Sequence, residues 1–253
     1  MGLDIIMVTH VVELRNVKKR FGKVEALRGI SFEVFEGEIF GLIGPNGAGK
    51  TTTLRIIATL VKHDEGMVKV LGYELPKFRN EVRGKIAYLP EDSRLYGRLN
   101  GWENLLYFAM IYSESKEEAI KMARLGAEIS GLSWSDLMRR ASEYSRGMAR
   151  RIAVARTLMT KAPLVILDEP TTGLDVFSSY AIRQIIKRYA RELKVTIILS
   201  SHNMLEIQDL CDRVALINKG RIVAVGTPNE IIVKAKASNL EEAFIRLVGD
   251  VSE

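Results

Sequence analysis

Apolar positions along the chain alternate between two spacings, and the changes of spacing mark out its parts. Near the start, Val11-Val12-Glu13-Leu14 and Ile30-Ser31-Phe32-Glu33-Val34 are rich in apolar and β-branched residues, and Phe21-Gly22-Lys23 lies between them as a turn. This predicts an antiparallel sheet. Glu38-Ile39-Phe40-Gly41-Leu42-Ile43 reads as a short buried strand, and Thr51 to Leu60 carries apolar residues at helical spacing. Met67-Val68-Lys69-Val70-Leu71 alternates again, and Ile86-Ala87-Tyr88-Leu89 is a short strand ended by Pro90. From Trp102 to Met159 the pattern is almost wholly helical, with Ser115 placed to cap the second helix. Strands return at Leu164-Val165-Ile166-Leu167 and Val195-Thr196-Ile197-Ile198-Leu199, with a helix from roughly Ser178 to Glu192 between them. Such alternation implies a parallel sheet. Val214 to Ile217 and Arg221 to Val225 flank Asn218-Lys219-Gly220 as a hairpin, and short helices follow. No internal repeat or low-complexity linker is visible. The expected fold is α/β: a mainly parallel core sheet, an N-terminal antiparallel β-subdomain and an inserted α-helical lobe at about 95–160. These parts make one domain over 1–240, followed by a short helical tail over 241–253.

The strand at Ile39 to Ile43 leads directly into Gly44-Pro45-Asn46-Gly47-Ala48-Gly49-Lys50-Thr51-Thr52, and a helix follows. The segment fits Gly-x-x-x-x-Gly-Lys-Thr, the phosphate-binding loop, in the strand, loop and helix order that the motif requires. Glycines let backbone N–H groups close round a polyphosphate, and the start of the helix adds its partial positive charge. Lys50 is placed to reach the β- and γ-phosphates, and Thr51 to hold Mg²⁺. The chain therefore reads as a P-loop NTPase. A chance Gly-rich turn is the competing explanation, and the correct flanks weigh against it.

Composition narrows the setting. A chain of 253 residues can bury a large core as one α/β domain with insertions. Cys211 is the single cysteine, so no internal disulfide can form. The first residues lack a basic segment followed by a long apolar one, and the chain reads as cytosolic. Apolar runs such as Val195 to Leu199 fall far short of the ~20 residues needed to span a bilayer, so any membrane step belongs to another polypeptide. The net charge is +6, but Lys and Arg are scattered and mixed with Glu. No nucleic acid is expected as a partner.

Polar residues at the ends of the later strands add chemistry to the loop. Leu164-Val165-Ile166-Leu167 delivers Asp168 and Glu169 at its tip. Asp168 suits the water shell of Mg²⁺, and Glu169 is placed to orient or deprotonate an attacking water. Two acids merely starting a turn before Pro170 remain the alternative. At the next strand tip, Leu199-Ser200-Ser201-His202 puts an imidazole on the same edge, where ligands of open α/β sheets gather.

Tyr144-Ser145-Arg146-Gly147-Met148 opens a long helix through Arg156, and this segment resembles the signature of ATP-binding cassette (ABC) ATPases. The order of phosphate loop, signature, acid pair and histidine matches that family over nearly the whole chain. Tyr144, Arg146 and Met148 depart from its usual Leu-Ser-Gly-Gly-Gln, while Ser145 and Gly147 keep it. The resemblance implies that two cassettes pair head to tail, the signature of one clamping the γ-phosphate of ATP held by the other. It implies ATP and Mg²⁺ as cofactors and Lys50, Glu169 and His202 as catalytic groups. Phe21 looks like the aromatic residue that stacks on adenine, and Asp175 in Gly173-Leu174-Asp175 like the residue of the loop crossing the dimer seam. As a helix N-cap, Asp175 would have a structural role too, and Ser145 equally could simply cap its helix. Glu91 stands where the family usually has glutamine and joins Thr51 and Asp168 as an implied metal ligand.

By resemblance, the chain is the ATP-hydrolysing subunit of an ABC transporter of the drug- and ion-export branch. Its implied partners are a second ABC ATPase subunit and a separate integral membrane permease, which would place it in the cytoplasm, peripheral on the inner face of the membrane. Leu95, Tyr96, Leu99, Trp102 and Tyr107 form the expected permease-docking patch, unless they are buried within the lobe. The alternative is a soluble ABC-type mechanical or regulatory ATPase, which the lack of sustained heptads disfavours. A GTP switch fails on base recognition, because Asn218-Lys219-Gly220-Arg221 lacks the acid expected two places after Lys219.

Overall fold

Alternating apolar side chains build two strands of 12 residues each at the start of the described chain. In the computed structural model, which describes residues 10–249, β1 (His10–Phe21) and β2 (Val24–Phe35) pair antiparallel, with Phe21 opposite Val24. Both strands outrun the apolar segments that announced them. Their outer halves carry Lys18, Lys19 and Arg28, and ion pairs from Lys18 to Glu65 (2.8 Å) and from Lys19 to Asp64 (2.7 Å) hold this charged part in place. β3 (Ile39–Ile43) is buried at every position and leads through the glycine-rich loop into α1 (Lys50–Ile57). β4 (Glu65–Val70) and β5 (Tyr73–Leu75) complete an antiparallel sheet in the order β2-β1-β4-β5, and α2 (Arg79–Arg83) follows. β5 and α2 are too short for periodicity to reveal.

The next part starts at β6 (Ile86–Leu89) and continues through α3 (Gly101–Tyr112), α4 (Lys116–Ser130), α5 (Trp134–Leu137) and α6 (Arg146–Leu158). Side chains cap each of these four helices: Asn100 in a capping box with Glu103, then Ser115, Ser133 and Ser145. A cap satisfies backbone donors that the helix cannot. Gly131, at φ 62°, ends α4 in the left-handed conformation and breaks the long helical stretch. β7 (Leu164–Leu167), α7 (Val176–Leu193) and β8 (Thr196–Ser201) then give three parallel strands in the order β8-β7-β6.

The chain closes with α8 (Met204–Gln208), β9 (Arg213–Asn218), β10 (Arg221–Gly226), α9 (Pro228–Lys234) and α10 (Leu240–Gly249). β9 pairs parallel with β3 and antiparallel with β10, which is the expected hairpin. The chain divides into two compact units, 1–85 with 202–253 and 86–201. The phosphate loop belongs to the first; the acid pair and signature segment belong to the second. The expected tail over 241–253 is described to residue 249, and the leader reading of the first residues lies outside the described ones.

Candidate nucleotide site

In the first unit, packing explains the glycines of the loop between β3 and α1. A Cβ on Gly44 would lie 2.0 Å from the Ile217 carbonyl oxygen. Gly49 has φ 110°, and a Cβ there would meet the Ala26 oxygen at 2.9 Å. Both positions exclude any side chain. Ala48 N–H donates to the Pro45 carbonyl (3.2 Å), closing the loop, while Pro45, Asn46 and Gly47 form its exposed crest. The hairpin turn at Gly220 braces the loop: Gly220 N–H donates to the Ala48 carbonyl (2.9 Å), and its own carbonyl accepts from Arg28 N–H (2.8 Å). Lys50 opens α1 and is buried, its ammonium donating to the Gly44 (2.8 Å) and Pro45 (3.2 Å) carbonyls. Thr51 and Thr52 follow it, half-buried. Phe21 ends β1 with 49 % of its surface exposed, and the Lys19 ammonium lies 5.2 Å from its ring centre. His202 is exposed just beyond β8.

In the second unit, the acid pair sits at the end of β7, and both acids are buried. Ser200 Oγ donates to Asp168 Oδ1 (2.6 Å) and accepts from Glu169 N–H (2.9 Å), joining the tips of β7 and β8. Tyr88 OH donates to Asp168 Oδ2 (3.3 Å), and Thr172 Oγ1 donates to Glu169 Oε2 (2.7 Å). Glu169 adopts φ 48°, a left-handed conformation that costs a non-glycine residue about 1–2 kcal/mol.

One guanidinium holds that conformation. Arg150 on α6 donates Nη2 to the carbonyls of Glu169 (2.6 Å) and Asp168 (3.1 Å), Nε to that of Pro170 (2.9 Å) and Nη1 to that of Glu91 (3.0 Å). Glu169 is thus gripped at its N–H by Ser200 and at its C=O by Arg150. Burial pushes the Arg150 pKa down, and the carboxylates of Glu91, Asp168 and Glu169 pull it back up. Glu91 itself is exposed, so this bond secures its loop through the main chain and leaves the carboxylate in solvent.

The signature segment lies in the same unit. Ser145 caps α6, its hydroxyl accepting from Met148 N–H (3.2 Å). A Cβ on Gly147 would stand 2.3 Å from Ser178 Oγ, so a side chain there would displace the hydroxyl that bonds Asp175, and glycine lets the start of α6 approach that of α7. Asp175 caps α7, accepting from Ser178 N–H (2.9 Å) and Oγ (2.7 Å). The Ser178 hydroxyl first, and its N–H second, hold the Asp175 carboxyl below the usual carboxylate range.

The family model for ABC transporters matches residues 27–172, a span that takes in the phosphate loop, Glu91, the signature and the acid pair. The chain belongs to the ABC transporter family. It is 38 % identical over 93 % of its length to the linearmycin resistance ATP-binding protein LnrL of Bacillus subtilis, covering 78 % of that protein. It is 36 % identical over 96 % of its length to the ABC transporter ATP-binding protein NatA of the same organism, covering all of it. Among solved structures it resembles an ATP-binding subunit of an ABC transporter at TM-score 0.81, with 27 % identity and coverage of 94 % of this chain and 99 % of that one. A dimeric post-hydrolysis state of the cassette MJ0796 bound to ADP and Pi matches at TM-score 0.75, with 26 % identity over 85 % of this chain and 98 % of that one.

This ABC cassette is therefore an ATP-binding, ATP-hydrolysing P-loop subunit. The hydroxyl of Thr51 and the carboxylates of Asp168 and Glu91 are hard oxygen donors of the kind that Mg²⁺ takes. The cassette brings Asp168, Glu169 and the Glu91 main chain onto Arg150, and Ser145-Gly147 beside Asp175. Lys50, Thr51, Phe21 and His202 stand in the other unit. Sequence reasoning passed over Arg150, Ser200 and Thr172. Ser200, a polar residue at the tip of an apolar strand, carried a readable signal. Arg150 sits among basic neighbours on an amphipathic helix and carried none.

Proposed function

We propose that the cassette powers export by a separate membrane permease, with the roles of its residues as follows. The Gly44–Thr52 loop wraps the phosphates of ATP, Lys50 neutralises the β- and γ-phosphates, and Phe21 stacks on adenine. Thr51, Asp168 and Glu91 would hold Mg²⁺, which would neutralise phosphate charge. Glu169 takes a proton from the water that attacks the γ-phosphorus, ADP departing with the bridging oxygen. Thr172 keeps the carboxylate aimed by its bond to Oε2. Ser145, Gly147 and Asp175 act across a dimer of cassettes, and His202 is a further catalytic group.

The observation that carries this reading is Glu169 itself: a buried carboxylate in a strained backbone conformation that two other residues enforce. Strain of this kind collects where geometry serves chemistry. Export is supported by the relatives, which include a linearmycin resistance protein and the Nod factor export ATP-binding protein I of Paraburkholderia xenovorans, 36 % identical over 94 % of this chain. Among the described residues no helix is long and apolar enough to cross a membrane, so a permease would supply the spans and hold the cassette at the inner face. Tyr96 and Tyr107, both half-exposed, line an apolar groove with Leu99 that suits a short helix of that permease. The test is Glu169→Gln. It is expected to bind ATP normally, to turn over at least about 10²-fold more slowly, and to accumulate as an ATP-bound dimer. Normal turnover would remove Glu169 from the role of base.

A further inference from the structure

On the helical lobe, Gly97, Arg98, Arg140 and Ser142 line a cavity of about 540 Å³. Its two walls are tied together by main-chain bonds, Ala141 N–H to the Leu99 carbonyl (2.9 Å) and Ser142 N–H to the Gly97 carbonyl (3.1 Å). The segments that carry the two arginines are therefore held side by side. Among the described residues, neither Arg98 nor Arg140 has an ion pair or a side-chain hydrogen bond. Neighbouring Arg139 is balanced by Asp136 (3.6 Å) and Glu143 (3.7 Å). No carboxylate lines the cavity, and Ser142 adds a hydroxyl. Two forked, permanently charged donors around one hollow select an anion with several oxygen acceptors, of which a phosphate ester is the natural case.

The surroundings narrow the source of that phosphate. Trp134 and Met138, shortly before Arg140 in the chain, are 59 % and 48 % exposed, and the Trp134 ring centre lies 5.5 Å from that of Trp102. Exposed tryptophan beside arginine is the composition of a surface at the headgroup level of a bilayer. The cavity also shares Gly97 and Arg98 with the Tyr96–Leu99–Tyr107 groove, so it lies on the face assigned above to the permease. We infer that Arg98, Arg140 and Ser142 bind the phosphate of an anionic membrane phospholipid, with Trp134 and Met138 resting among the headgroups. This rests on the transporter reading for the placement of the cassette at a membrane.

The full chain should float with phosphatidylcholine vesicles containing about 30 mol % phosphatidylglycerol and stay behind with phosphatidylcholine alone, the capture fading as salt rises. The double variant Arg98→Gln/Arg140→Gln should bind the anionic vesicles roughly 30-fold more weakly, each cation near such a surface contributing about five-fold. Its soluble ATPase activity should match that of the parent chain, which also reports that it folds. Equal capture by both vesicles, or undiminished capture of the double variant, would overturn the inference. Displacement by soluble glycerol phosphate would reassign the site to a free phosphate ester, and displacement by polyglutamate at matched charge would reassign it to an acidic protein segment; either overturns the lipid site. A chain that hydrolyses ATP but ignores the vesicles loses only this site. One that binds the vesicles without hydrolysing ATP refutes the transporter reading instead.

Discussion

The phosphate loop and the acid pair both lie at the end of a short, fully buried strand, β3 in one case and β7 in the other, yet they are held by opposite means. The loop is fixed largely by what its own residues lack: Gly44 and Gly49 leave no room for a Cβ against Ile217 and Ala26. The acid pair is fixed by what distant residues supply, a hydroxyl from Ser200 and a guanidinium from Arg150. Exclusion of side chains can be written in a few adjacent letters. A network of donors spread along the chain cannot, and damage to it should spread through its unit where damage to the loop stays local.

The largest test of that contrast is Gly49→Ala. The added methyl group meets a backbone oxygen, and φ 110° strains it further. Displacement of the loop by about 1 Å should lower hydrolysis on the order of 10²-fold by weakening ATP binding, with the second unit unaffected. Titration with a fluorescent ATP analogue reads the affinity directly. Next comes Arg150→Ala, which removes the guanidinium donors from four main-chain carbonyls, of which that of Glu169 keeps a bond from Thr172 N–H (3.3 Å). Stability should fall by about 3 kcal/mol in denaturant unfolding and turnover by about 10-fold, while ATP binding changes little. Arg150→Lys should recover only part, because an ammonium cannot fork to four acceptors. If Arg150→Ala loses affinity and keeps its stability, the contrast between the two regions collapses.

Glu91 offers a smaller effect. Its main chain belongs to the Arg150 network and its carboxylate faces solvent. Glu91→Gln should stay active, whereas Glu91→Ala should lose several-fold in hydrolysis and need more Mg²⁺, since a hard oxygen ligand is gone. Unchanged Mg²⁺ dependence in Glu91→Ala would leave the residue with a main-chain role alone. The smallest effect concerns Asp175. Its carboxyl titrates below the ordinary range, so its contribution to stability is complete above the unfolded value near pH 4 and is lost as pH falls through the folded value. Asp175→Asn keeps the cap without the charge, and its thermal midpoint should show less acid sensitivity over that window than the parent chain does.

What the sequence disclosed follows the same division. The loop, the strands carrying the acids, the caps at Ser115 and Asp175 and the hairpin around Gly220 are local features, each legible in a few residues. The charged outer half of β1 was not, because its partners Asp64 and Glu65 lie over 40 positions away. Arg150 was hidden for the same reason: its acceptors are main-chain carbonyls, which every residue has and no letter marks. For Ser145 and Gly147 the structure shows a cap and a close approach to Ser178 that serve the fold whatever else these residues do.

The left-handed turn at Glu169 sets two demands on one position against each other. Glycine would occupy φ 48° without cost, and so would relieve strain of about 1–2 kcal/mol, against a total stability of about 5–15 kcal/mol for a typical domain. By that measure the backbone prefers a residue with no chemistry. The same left-handed strain recurs at Thr59, Leu71 and Lys194, but at Glu169 it falls on the carboxylate proposed as the base, so a screen that rewards heat resistance alone would there favour a sturdier cassette with slower turnover of ATP.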